Sequence, residues 1–108
     1  MLFIGNQIRL TRAVLDAAVV QRRQSLFQTL ARQQIEAGAN WLLVDMGPQR
    51  KGAAEDLSWL VGTIHGEVTV PLVLRSDDPV ALQAGLDAAR DRILIDATLP
   101  AVYRYRGT

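Results

Sequence analysis

Trp41-Leu42-Leu43-Val44 runs into Asp45-Met46-Gly47-Pro48, and this octet decides the fold class. Four apolar residues in succession show no alternation. That pattern belongs to a strand covered on both faces, as in a parallel sheet. The Gly-Pro pair ends it. Just upstream, Leu26, Phe27, Leu30, Ala31 and Ile35 recur at three- and four-residue spacings, with Arg22, Arg23, Gln28, Arg32 and Gln33 opposite. This is the stripe of an amphipathic helix, and Gly38 follows as its C′ residue. Helical patterning begins at Ala13, and Ala13 to Val20 reads as a separate short helix or a turn. Further upstream, Leu2-Phe3-Ile4 reads as a short buried strand closed by Gly5-Asn6.

Downstream of the octet the alternation of strand and helix continues. A polar loop spans Gln49 to Gly52. Leu57, Leu60, Val61 and Ile64 mark a second helix, with Glu55 and Asp56 in its first turn, where the helix dipole favours carboxylates. Val68 to Leu74 is a third strand region, and Pro71 belongs at its entrance, because proline is poorly tolerated inside a central strand. Asp78-Pro79 is a helix start, with an N-cap carboxylate before proline at N1. Leu82, Leu86 and Ala89 carry that helix's buried stripe. Arg92-Ile93-Leu94-Ile95 is a fourth strand, ended by Asp96 to Pro100. The tail, residues 101–108, carries Tyr103-Arg104-Tyr105-Arg106 and no assigned periodicity. The resulting order is β-α-β-α-β-α-β, with units about 30 residues apart, the spacing of right-handed βαβ crossovers. Four parallel strands and about three helices make either an open sheet or half of a barrel.

Composition narrows the chemistry. The 108 residues allow one domain, placed at residues 1–100 ahead of the tail. There is no cysteine, hence no disulfide framework and no thiolate nucleophile or metal ligand. His65 is the single histidine, so a His-based zinc site would be short of ligands. Twelve basic and 11 acidic residues give a net charge of +1, too balanced a field to argue for nucleic acid or an anionic membrane. Lys51 is the only lysine, so almost every cation is an arginine able to make bidentate carboxylate contacts. No basic n-region or long apolar run marks a targeting or membrane segment. A cytoplasmic location is expected.

Several segments together resemble the methyltetrahydrofolate:corrinoid methyltransferases, the pterin-binding barrel family related to dihydropteroate synthase. They are Met1 to Ile8, Gln34 to Ala39 followed by Leu42 to Pro48, Asp56 to Val61, Val70 to Ser76, and Ile93 to Thr98. The resemblance implies a TIM-like barrel with its pterin site at the C-terminal strand ends. It also implies methyltetrahydrofolate as methyl donor and a corrinoid protein as partner.

Two departures follow. A whole barrel needs roughly 200 residues or more. Strands one to four alone are a half barrel, which is expected to form a homodimer or to pair with a partner protein that completes the barrel. The second departure is chemical. The family places an Asn where this chain has Arg9, an Asn at Asp45, an inward Asp at Leu43, an Asp at Arg75 and an Asn at Asp96. Arginine cannot accept hydrogen bonds from a pterin's amino and N–H groups. The strand ends read Arg9, Asp45, Arg75, Asp96, alternating in sign. They form either an internal charge network, in which Asp96 would meet a second copy's Arg9, or a degenerate pterin site. Solvated loops, or an anion site built on the two arginines, are the other readings.

Other residues have plainer explanations. His65 suits a helix C-terminus, Asp78 a helix cap, and Trp41 and Trp59 core packing. No Gly-rich phosphate loop is present. Two function classes remain open. One is a non-catalytic scaffold or accessory subunit with no cofactor. The other is the N-terminal part of a methyltetrahydrofolate-dependent corrinoid protein methyltransferase, needing a complementary half.

Overall fold

The computed structural model describes residues 3–48 and 50–89, and as backbone alone the strands 93–98 and 101–106. Strands β1 (Ile4–Arg9), β2 (Trp41–Asp45) and β3 (Leu72–Ser76) are parallel neighbours. Four helices connect and flank them: α1 (Ala13–Val20), α2 (Gln24–Glu36), α3 (Ala53–His65) and α4 (Pro79–Ala88). The short apolar segment after the first strand is therefore a helix of its own, one more than the three expected. Strands β4 (Ile93–Thr98) and β5 (Ala101–Arg106) extend the sheet in the order β1-β2-β3-β4-β5. β4 is parallel to β3, and β5 is antiparallel to β4. Arg92, Leu99 and Pro100 lie outside the described residues.

The core lies between the helices and one face of the sheet. Leu42, Val44, Leu72 and Leu74 are fully buried there with Ile8, Phe27, Leu57, Leu60 and Ile64. Alternation along the strands sends Leu43, Asp45, Val73 and Arg75 to the opposite face. Leu43 and Val73 are buried as well, which explains why β2 reads as an unbroken apolar run.

Helix ends follow local chemistry. The Asp78 carboxylate accepts the Val80 N–H at 2.9 Å, and Pro79 fills N1, as the sequence requires. Gly38 takes φ +108°, which supplies the left-handed residue after α2. Pro71 stands just before β3, where its carbonyl accepts the Leu42 N–H.

β1 departs from the sequence reading. The strand was expected to close at Gly5-Asn6, yet it continues to Arg9. The pairing with β2 shifts register between Gly5 and Ile8. At this bulge the buried Gln34 side chain of α2 reaches in. Its Oε1 accepts the Gln7 N–H at 3.0 Å, and its Nε2 donates to the Leu30 carbonyl at 3.3 Å. A distant side chain thus replaces the missing ladder contact, and the strand survives its polar middle. A Cβ at Gly5 would lie 2.5 Å from Gln34 Oε1, so only glycine admits this contact.

Candidate functional site

The strand ends form a single row. Arg9 is in register with Asp45, Asp45 with Arg75, and Arg75 with Asp96. Parallel βα units of similar length bring equivalent strand ends side by side, so four positions spread over 88 residues of sequence become neighbours. Side chains in one such row project to the same face of a parallel sheet.

The contacts within the row are unequal. Arg75 Nη1 lies 3.8 Å from Asp45 Oδ2. Asp45 Oδ1 accepts the Gly47 N–H at 2.9 Å, which holds the turn after β2 against the carboxylate. Gly47 has φ +73°, a conformation that costs glycine little. The ladder continues past the strands, with Leu10 N–H donating to the Asp45 carbonyl and Met46 N–H to the Arg75 carbonyl. Asp45 is buried and Arg75 half-buried, whereas Arg9 is exposed. The structure brings Asp45 and Arg75 together as an ion pair and leaves Arg9 at the β1 edge. For Asp96 it gives the register only, since its side chain lies outside the described residues. The closure in which Asp96 meets a second copy's Arg9 does not fit this sheet. β5 fills the far side of β4, with Asp96 in register with Tyr103.

A cleft of about 400 Å³ opens at these ends, lined by Thr11, Asp45, Gly47, Pro48, Arg75, Ser76 and Asp77. Thr11 and Ser76 line the cleft without belonging to any sequence motif. Their signal was positional, as each stands at or just past the end of a strand. Ser76 is buried, and its hydroxyl oxygen accepts the Asp78 N–H at 3.1 Å, which fixes the β3–α4 turn. A neighbouring cleft of about 540 Å³ is lined by Arg50, Lys51, Asp77, Asp78 and Pro79. Asp77 contributes to both. Among the described residues no group of three or more histidines and carboxylates is placed to hold a metal ion.

A second charged cluster joins α1, the α1–α2 turn and the loop after β2 to α3. Asp56 was expected to serve the α3 dipole, and it does more. Its carboxylate takes Arg22 at 2.8 Å through Oδ1 and the Arg50 Nε at 3.0 Å through Oδ2. Arg50 also pairs with Asp16 of α1. The Arg22 guanidinium carbon stands 5.2 Å from the centre of the Trp59 ring, which packs edge-on against Phe27 at 5.8 Å. These contacts tie the β2–α3 loop and the α1–α2 turn to α3. Trp59 is thus a packing residue, as the sequence suggested. His65 is buried at the last position of α3.

No protein-family model matches the chain. Over 84 residues it is 29% identical to a methylcorrinoid:tetrahydrofolate methyltransferase of Eubacterium limosum, an alignment covering 78% of this chain. The same alignment covers 31% of that relative, so the chain spans under a third of its length. This similarity supports a distant relationship to that enzyme's family. No helix among the described residues is long and apolar enough to cross a membrane.

Proposed function

We propose that this chain is a half-barrel module derived from a pterin-binding methyltransferase, used as a non-catalytic scaffold or accessory subunit within an oligomer or larger complex. One observation carries the reading: the Arg75 guanidinium beside Asp45 in the mouth of the strand-end cleft. A pterin presents amino and N–H donors along its polar edge and needs acceptors opposite them. Arginine offers none. Of the two Asp45 oxygens, one is taken by the Gly47 N–H and the other faces Arg75. On this reading the chain holds no cofactor of its own. Its row of alternating charge serves cohesion of the sheet, and the function lies in what the scaffold brings together.

A second reading has its own support. The alignment runs through most of this chain but under a third of a longer methyltransferase. That proportion suits one part of such an enzyme; on this reading it is the N-terminal part, and a complementary half supplies the remaining strands. Methyltetrahydrofolate would then be the donor and a corrinoid protein the acceptor.

Light scattering on a sizing column, with and without methyltetrahydrofolate, separates the two, with Arg75→Asp alongside. The scaffold reading expects a defined oligomer whose mass ignores the ligand, and no ligand binding by the parent chain. It also expects a less stable R75D that gains no binding. Ligand binding by the parent chain would overturn it in favour of the enzyme reading. Binding gained by R75D, with stability unchanged, would show a pterin site disabled by one substitution.

A further inference from the structure

α1 is apolar on both sides. Its sequence, Ala13-Val14-Leu15-Asp16-Ala17-Ala18-Val19-Val20, contains one polar residue. Leu15, Ala18 and Val19 are buried in the core. Ala13, Ala17 and Val20 form a stripe on the exposed side at spacings of four and three, with Val14 beside it. Val14 is 67% exposed and Val20 71%. A helix apolar all round is normally buried on all sides, and contiguous exposed apolar surface marks an interaction site.

The ends of this helix break a second rule. Arg12 occupies the N-cap of α1 and Arg23 the N-cap of α2, and neither makes a side-chain cap hydrogen bond. Both are exposed. Ser, Thr, Asp or Asn is preferred at such positions, and a cation there opposes the positive end of the helix dipole. One adverse cap is unremarkable. Two in succession, bracketing an exposed apolar stripe, place positive charge at both ends of one patch. A carboxylate at each end would neutralise the arginine and the dipole together. Local rules broken in this way are characteristic of functional surfaces.

We infer that the exposed face of α1 is a docking surface for a partner protein whose apolar contact patch is rimmed by carboxylates. The inference stands on α1 and its flanking arginines. It does not depend on the strand-end row, so either conclusion survives the failure of the other. The helix is about 12 Å long, which sets the scale of the patch. Apolar contact supplies affinity, while the two arginines set orientation and reject basic surfaces.

The test uses the full chain and two labelled synthetic helical peptides. Both carry one leucine face, flanked by glutamates in one and by lysines in the other. Fluorescence anisotropy is expected to show binding of the glutamate peptide, at least 10-fold weaker binding of the lysine peptide, and weakening with added salt. Val14→Ser/Val20→Ser is expected to lose at least 10-fold in affinity with an unchanged circular dichroism spectrum, since both side chains are already in water. Arg12→Glu/Arg23→Glu is expected to reverse the preference towards the lysine peptide, an outcome that misfolding cannot produce. Equal binding of both peptides, or binding of neither, would overturn the inference. So would concentration-dependent self-association abolished by the valine double variant, which would make the face an interface between copies. Binding of the chain to phosphatidylserine vesicles but to neither peptide would assign the patch to a membrane surface instead.

Discussion

Asp45 and Arg75 stand opposite each other at the ends of β2 and β3, with their charged atoms 3.8 Å apart. Asp45 is nearly enclosed, its side chain 11% exposed, whereas Arg75 is 38% exposed. Solvent screens such a pair, so its net contribution is small, about 0.5 kcal/mol. Arg75→Asp does something different from removing it. It sets like charges side by side in adjacent strands and leaves a buried carboxylate without its cation. Urea unfolding is expected to show a loss of about 1–2 kcal/mol. Arg75→Met is expected to lose about 0.5 kcal/mol or less. Equal losses in the two variants would mean that charge in the row is irrelevant.

Asp56 is the more costly carboxylate to remove. It holds Arg22 and Arg50 together, and its side chain is 13% exposed. In Asp56→Ala the Arg50 guanidinium, 15% exposed, keeps Asp16 as its one ion-pair partner among the described residues. Allowing for the screening of Arg22, the expected loss is about 2–3 kcal/mol by denaturant unfolding. A double-mutant cycle of Asp56→Ala with Arg50→Met should return a coupling of about 1 kcal/mol or more. Additive losses would show that the cluster is not a unit.

Gly5→Ala tests the β1 bulge. The added methyl would meet Gln34 Oε1 and displace it from the Gln7 N–H. The combined overpacking and orphaned amide should cost about 2 kcal/mol. Gln34→Ala makes room but also abandons the amide. Its combination with Gly5→Ala is therefore expected to cost less than the sum of the two. Simple additivity would dissociate the glycine from the glutamine.

Asp78→Ala should lower stability by about 1 kcal/mol, the value of an N-cap hydrogen bond. Asp78→Ser retains an acceptor for the Val80 N–H and should recover most of it. The urea midpoints of the three proteins check this directly. Serine behaving like alanine would show that the carboxylate's charge at the helix dipole, rather than the hydrogen bond, is what matters.

The legible parts of this fold are those set by local chemistry or by the repeat of the βα unit. Asp78-Pro79 and Gly38 act within a turn of their own positions. The row from Arg9 to Asp96 was legible because parallel strands with similar connections align their ends. Asp56 was legible only as a first-turn carboxylate. Its partners lie 34 residues before it and 6 residues before it, across a turn whose shape the sequence does not announce. β1 was cut short because its middle, Gly5-Asn6-Gln7, is polar and the residue that supports it belongs to α2. Tyr103 and Tyr105 alternate with Arg104 and Arg106, the period of the strand that β5 forms, but four residues are too short a run to establish it alone.

Arg22 sits in the left-handed region at φ +53°, where a residue with a Cβ pays about 1 kcal/mol or more. Its compensation comes from Asp56 and Trp59, which belong to α3. The turn between the first two helices also closes locally as a Schellman motif, with the Arg23 N–H donating to the Ala18 carbonyl and the Arg22 N–H to the Val19 carbonyl, both at 3.0 Å. One residue thus closes the turn through its backbone and moors it to α3 through its side chain.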